Sequence, residues 1–415
     1  MDCIGYLKIE PIEKTQIKVS INQKPGKHKA NKKSLPGNHT LIPLQPLQVL
    51  TIGRSFTKNI HLNNPTVSMN HGVIWSTQFD EDSAPVVYLH DQSRNAIQHN
   101  GNELGRGKIA ILNDDDVIEI QMAAKITFKA IADHASSINE VDQSLEDWEI
   151  TNKLIGSGSF GSVFLARKTN SSQLFAVKII QKNYSSYFSG GYLTSHESEL
   201  LARIKHVHLV CGGDLFSYLV CDGYLKSIPE KEAILIVFQL MKAIHYLHKS
   251  LHIIHRDLKL DNVLLELPLP QPKVYLCDFG IAKYIGRKRT NTSVGTLEYS
   301  APEVFKTDIN GKTSIQPYDY KSDMWSLGVI THILLSGISP FYSDSRESII
   351  CATRSGNLNF EKPQFRKVSQ SAKSFIKRLL SVDPQNRMDI NECFEHIWIK
   401  LNRPKLEKFY REKIA

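Results

Sequence analysis

Three absences bound this chain. Its 415 residues contain no run of about 18 consecutive apolar residues, so no membrane-spanning helix is predicted. Its opening residues, Met1-Asp2-Cys3-Ile4-Gly5-Tyr6, lack a basic segment followed by an apolar core, so no secretory leader is expected. Cysteine is sparse: six residues, at positions 3, 211, 221, 277, 351 and 393, with no C-x-x-C pair. That spread offers no thiolate zinc site and suits reduced, intracellular thiols.

What is present is ordinary globular material. A hydrophobic share of 41% can bury real cores, and the length predicts roughly two or three domains. Net charge is +9, made of −2 through residue 147 and +11 beyond it. No aromatic residues interleave with the basic ones, so direct nucleic-acid binding is not predicted. Lys24, Lys27, Lys29, Lys32 and Lys33 cluster among Pro25, Gly26, Pro36 and Gly37. This reads as a solvated loop, with a nuclear-import signal as the sharper alternative.

The N-terminal third alternates short apolar runs with turn residues. Strands are predicted at 4–9, 48–52, 71–76, 86–90, 108–111, 117–121 and 125–130, a spacing that suggests an all-β sandwich. Its loops carry Gly53-Arg54-Ser55, then Ser68-Met69-Asn70-His71, then Ser93-Arg94-Asn95-Ala96 and Asn100-Gly101. This ordered set resembles a forkhead-associated (FHA) domain, a binder of phosphothreonine peptides. The resemblance implies that Arg54 and Ser68 contact the phosphate, that Asn95 holds the ligand backbone and that His71 braces the loop. A guanidinium clamp and a hydroxyl donor suit that task. Two positions depart from the family pattern: Met69 stands where a basic residue is common, and Ala96 replaces the usual glycine. With 4–9 as the first strand, residues 11–46 are expected to be a basic insertion, the domain to span 1–132, and 133–147 to be a linker.

The remainder carries an ordered series of motifs. Ile155-Gly156-Ser157-Gly158-Ser159-Phe160-Gly161-Ser162-Val163 is followed by strand-like rather than helical sequence. That favours a hairpin over nucleotide phosphates and disfavours a dinucleotide fold, whose glycines open a helix. Phe175-Ala176-Val177-Lys178, the helix-opening Glu197, His255-Arg256-Asp257-Leu258-Lys259, Asp261-Asn262, Cys277-Asp278-Phe279-Gly280, Ala301-Pro302-Glu303, Asp323 and Arg387 come next. A lone H-R-D is a charged turn more often than a catalytic loop, but the series over about 250 residues resembles the protein kinases, in particular the calmodulin-dependent and checkpoint group.

The resemblance implies a bilobal α+β kinase fold over 148–398, followed by a C-terminal tail, 399–415. ATP would be held by residues 155–163, Ala176, Lys178 and its partner Glu197. Mg²⁺ would be held by Asn262 and Asp278, and catalysis would fall to Asp257 and Lys259, the latter marking Ser/Thr specificity. Glu303 would pair with Arg387, and Asp323 would support the catalytic loop. Thr292 and Thr296 are candidate activation-loop phosphorylation sites, with Arg256 available to a phosphate on Thr292. Asp214 and Asp261 match acids that read arginine upstream of a target residue in protein substrates.

One stretch breaks the pattern. Lys205-His206-Val207-His208-Leu209-Val210 runs straight into Cys211-Gly212-Gly213-Asp214. The family places two strands and a hinge between these, so roughly twenty residues are missing by ordinary strand and loop lengths. The chain is then a splice or gene-model variant of an active kinase, an impaired kinase serving as a phosphopeptide-binding adaptor, or a kinase with an unusual hinge. An FHA domain followed by a kinase domain is the layout of the checkpoint kinase 2 family, most like its yeast meiosis-specific type. The layout implies a phosphothreonine-bearing scaffold partner, self-association for autophosphorylation in trans, a nuclear location, and a role in DNA-damage or meiotic recombination signalling.

Overall fold

A computed structural model of the chain describes residues 3–12, 15–20, 39–78, 85–131, 144–145, 148–158, 161–168, 174–179, 211–221, 224–278, 283–284, 294–307, 313–315 and 319–414. The chain divides into two compact units, residues 1–181 and 182–415.

The first unit opens with a β-sandwich. Its strands are β1 (Gly5–Pro11), β2 (Gln16–Val19), β3 (Thr40–Leu44), β4 (Val49–Gly53), β5 (Ile60–Asn63), β6 (Gly72–Thr77), β7 (Val86–Asp91), β8 (Gln98–His99), β9 (Asn102–Glu103), β10 (Ile109–Leu112), β11 (Val117–Ile120) and β12 (Ala124–Ala130). One sheet has the order β3-β1-β12-β11-β8-β9, the other β10-β7-β6-β4-β5-β2. Alternation decides which face is inside. In β1, Leu7 and Ile9 are fully buried while Tyr6, immediately before them, is exposed. Ile42, Leu50, Ile52, Ile74, Leu89, Ile118 and Ile126 complete the apolar layer between the sheets. The expected insertion at 11–46 is corrected here. Residues 16–19 pair with β5 and residues 40–44 pair with β1, giving each sheet an edge strand. Their short, polar-interrupted runs hid them from a periodicity reading.

The same unit holds an antiparallel sheet of β13 (Ser144–Leu145), β14 (Trp148–Gly158), β15 (Gly161–Lys168) and β16 (Leu174–Ile179), in that order. The expected linker therefore contributes a strand, 144–145. Gly158 lies opposite Gly161, so the glycine-rich segment is a tight hairpin, as its sequence requires.

The second unit is mainly helical: α1 (Leu215–Leu219), α2 (Glu230–His245), α3 (Tyr320–Ser336), α4 (Arg346–Ser355), α5 (Gln370–Leu379), α6 (Ile390–Glu395), α7 (Ile397–Lys400) and α8 (Arg403–Phe409). α3 runs through the core, with Met324, Trp325, Leu327, Ile330 and Leu334 buried. Gly328 lets it approach α5, since a Cβ there would stand 2.9 Å from Leu379 Cβ. Two short antiparallel pairs, 253–254 with 283–284 and 263–265 with 274–276, frame the loop at 255–262. Residues beyond 398, expected only as a tail, pack inward: Leu406 is buried, and Lys242 pairs with Glu407 at 2.8 Å while lying over the rings of Phe238, Phe394 and Tyr410.

Candidate functional sites: a catalytic loop and a phosphopeptide cleft

The catalytic loop hangs on one buried carboxylate. Asp323, in the first turn of α3, accepts from the His255 and Arg256 backbone N–H groups at 2.9 Å each. Its Oδ2 also meets His248 Nε2 at 2.7 Å. Burial alone would raise the Asp323 carboxyl, but the bond to His248 and its charge hold it below the ordinary carboxylate range. A π-helical turn, Tyr246–Leu251, closes α2 and carries His248 inward. His255 is held neutral by burial, and its Nε2 meets the Cys277 carbonyl at 3.1 Å. Cys277 N donates to the Asn262 carbonyl at 3.0 Å. These bonds place the 255–262 loop and the Cys277-Asp278 strand end side by side.

Within that frame Asp257 is buried. Its Oδ2 accepts from Asn262 Nδ2 at 3.0 Å and pairs with Lys259 Nζ at 3.1 Å. Its Oδ1 is buried and has no partner among the described residues. Asn262 spends its side-chain N–H groups on Asp257, which leaves its side-chain oxygen, Oδ1, available. Asp278, held at φ +59°, is the other oxygen donor expected of a site for magnesium, which takes oxygen ligands alongside water and phosphate. So Asp257, Lys259, Asn262 and Asp278, scattered over 22 positions, are brought into one loop cluster. Arg256 lines a small crevice with Tyr299, Ser300 and Ala301. The candidate activation-segment residues fall largely outside the described residues. Thr292 lies beyond them, and Thr296 is described only as backbone in a 3₁₀ turn, 294–299.

The expected internal pair is formed. Arg387, fully buried, gives Glu303 two bonds of 2.6 and 2.8 Å. Of the two acids expected to read arginine, Asp214 is engaged as the N-cap of α1, accepting from Ser217 N at 2.7 Å and Ser217 Oγ at 2.9 Å. Burial raises its carboxyl. Asp261 is the exposed acid of the pair.

In the glycine hairpin, Ile155, Gly156, Ser157 and Gly158 lie on β14 and Gly161, Ser162 and Val163 on β15, with Ala176 and Lys178 on β16. Gly156 faces Val163, and Val163 faces Lys178, so the three share one row across the sheet. Ser159, Phe160 and Glu197 lie outside the described residues.

The sandwich carries a second site. A cleft of about 500 Å³ is lined by Arg54, Ser68, Asn95 and neighbours from four loops. Arg54 N donates to the Ser68 carbonyl at 2.9 Å, and Arg54 Nε to the Val67 carbonyl at 3.1 Å, which fixes the guanidinium. Gly53 makes this possible, since a Cβ there would stand 2.3 Å from the Met69 carbonyl oxygen. His71, buried and held neutral by burial, accepts from Ser68 N through Nδ1 at 3.0 Å, the bracing expected of it. Ser68 Oγ accepts from Arg94 N at 3.1 Å, leaving its own proton to donate. Asn95 Nδ2 donates to the Thr66 carbonyl at 2.9 Å and ties two loops together. Sequence reasoning missed two cleft residues, Arg94 and Arg106. The Gly105-Arg106-Gly107 turn was the available signal.

A clamp-and-loop cluster on a helical core, together with an arginine-serine cleft on a β-sandwich, defines a protein kinase that carries a phosphopeptide-binding module. Residues 150–399 match the protein kinase domain family and residues 50–121 the FHA domain family. The chain belongs to the FHA-domain-containing serine/threonine protein kinases. It is 38% identical to the meiosis-specific serine/threonine-protein kinase MEK1 of Saccharomyces cerevisiae, over 90% of this chain and 85% of that one. It is similar to the structure of Rad53 1-466 in complex with AMP-PNP, at 25% identity and TM-score 0.51, covering 95% of this chain and 100% of that one. Its kinase half is 36% identical to calcium/calmodulin-dependent protein kinase type 1B of Rattus norvegicus, over 61% of this chain and 75% of that one. That alignment runs over 271 residues but draws on only 61% of 415, about 253, so the relative carries about 18 residues that this chain lacks.

Proposed function

We propose that this chain transfers the γ-phosphoryl group of ATP to serine or threonine in protein substrates, and that its FHA domain recruits it to a phosphothreonine-bearing scaffold during DNA-damage or meiotic recombination signalling in the nucleus. The meiotic assignment is supported by the likeness to MEK1 over nearly the whole chain. The AMP-PNP in the Rad53 structure supports ATP as the phosphoryl donor.

The observation that carries the chemistry is the divided carboxylate of Asp257. One oxygen is held by Asn262 and Lys259, and the other is buried and open. In this reading the open carboxylate oxygen orients the substrate hydroxyl and takes its proton as the hydroxyl oxygen attacks the γ-phosphorus and ADP leaves. Lys259 then balances charge on the group in transfer. Asn262 and Asp278 would hold Mg²⁺, which neutralises phosphate charge when bound. The glycine hairpin, Lys178 and Glu197 would hold the ATP phosphates. Asp261 favours arginine upstream of the target, with Asp214 contributing less because its oxygens are already bonded.

The test is phosphate incorporation from labelled ATP into a basic serine peptide, compared with Asp257→Ala. The expected loss is about 10²–10⁴-fold. If the unmodified chain transfers no phosphate while still binding phosphothreonine peptides through Arg54, the adaptor reading replaces this one. That reading is favoured specifically by the run from Lys205 straight into Cys211-Gly212, where the family pattern places two strands and a hinge.

A further inference from the structure

The phosphopeptide cleft holds more positive charge than one phosphothreonine can use. Arg54, Arg94 and Arg106 all line it, and no Asp or Glu does among the described residues. Only Arg54 has its guanidinium bonded, through Nε to Val67. Among the described residues the side chains of Arg94 and Arg106 make no hydrogen bond or ion pair, whereas exposed Lys8, Lys129 and Arg403 each find a carboxylate. A phosphothreonine brings a charge of about −1.5 to −2. Against three guanidiniums that phosphate leaves an excess of about +1 to +1.5, which a second anion relieves.

Both arginines are also presented by anchored loops. Arg106 sits between Gly105 at φ +90° and Gly107 at φ +81°, in a turn closed by Lys108 N to Gly105 O at 3.0 Å. Gly107 N donates to the Asp91 carbonyl at 2.7 Å, and Asp91 N donates to the Lys108 carbonyl at 3.0 Å. The carboxylate of the same buried Asp91 accepts from Ser93 N at 2.8 Å and Ile97 N at 2.9 Å, which fixes the loop bearing Arg94 and Asn95. One strand end thus positions both cations beside the residue that holds the ligand backbone.

We infer that Arg106, with Arg94, forms a second anion subsite, so the cleft selects phosphothreonine segments that carry a further anionic group, either a carboxylate side chain or a second phosphate. This rests on reading the cleft as a phosphothreonine site. The test measures binding of the full chain to labelled peptides of one sequence. One has neutral flanks, a set carries a single aspartate at each flanking position in turn, and a matching set carries a second phosphothreonine. At least one acidic peptide is expected to bind about five- to tenfold tighter than the neutral one. That ratio falls to near one in Arg106→Ala and is unchanged in Lys125→Ala, a charge control on β12. The set with the larger ratio identifies the source of the second anion. An absence of flank dependence in the unmodified chain overturns the subsite while leaving the phosphothreonine reading intact, and so does a ratio that survives both Arg106→Ala and Arg94→Ala. If no phosphopeptide binds, or if Arg54→Ala leaves neutral-peptide binding unchanged, the cleft reading falls and the subsite falls with it.

Discussion

Single residues here matter through what they hold. Arg387 is fully buried and gives both of its terminal nitrogens to Glu303, its Nε to the Ser381 carbonyl, and its plane to Trp325 at 5.0 Å. Removing one side of a buried pair leaves the other charge uncompensated, so Arg387→Ala should cost about 3–5 kcal/mol. A fall in the chemical denaturation midpoint of the helical unit measures this, and a loss below 1 kcal/mol would contradict it. Gly53 acts through space alone. A methyl group there meets the Met69 carbonyl, so Gly53→Ala should cost about 1–3 kcal/mol by overpacking and displace Arg54 from its bond to Ser68. Thermal unfolding and phosphopeptide affinity should then fall together.

At the scale of elements, loops and caps decide local stability. Ala96 sits at φ +52°, a left-handed conformation that disfavours any side chain. The position departs from the family glycine, and the backbone there still adopts the glycine conformation because Asp91 pins Ile97 N and Asn95 is tied to Thr66. Ala96→Gly should therefore stabilise the sandwich by up to about 1 kcal/mol, the relieved strain outweighing the added chain entropy. A lower sandwich melting temperature in this variant would refute the argument. In the helical unit, Asp389 caps α6 with a reciprocal box: its carboxylate accepts from Glu392 N at 2.9 Å, and Glu392 Oε2 accepts from Asp389 N at 2.7 Å. Asp389→Ala should cost about 1 kcal/mol, measurable by urea titration.

For the whole molecule, buried histidines set the acid limit. His71, His255 and His332 are all held below the ordinary imidazole range by burial, His332 down to about 4. The unfolded chain protonates these groups near pH 6.5 while the folded chain resists. Their contribution to stability is therefore complete above that pH and is lost as pH falls toward the folded values. Each group costs up to about 1.4 kcal/mol per pH unit within that window. Unfolding midpoints between pH 7 and 4 should decline, and His332→Asn should flatten the decline in the helical unit. An unchanged slope would remove His332 from this account.

The sequence by itself was enough for the family, the order of the domains and the chemistry-bearing residues. Kinase and FHA motifs are local strings whose spacing reflects local constraint: a hairpin needs its glycines, and a catalytic loop needs its acid and amide within a few residues. Ordinary strand and loop lengths also raised the expectation of a stretch missing before Cys211. Tertiary structure alone decided the rest, because those contacts join positions far apart in the chain. Asp323 clamps backbone groups 67 and 68 residues away. Residues 16–19 and 40–44 become strands only by pairing with β5 and β1. Asp214 turns out to be a helix cap, and the segment beyond 398 a packed element. Arg106, one more basic residue in a glycine turn when read along the chain, joins Arg54 and Arg94 around one cleft only in the folded sandwich, where distant loops converge on Asp91.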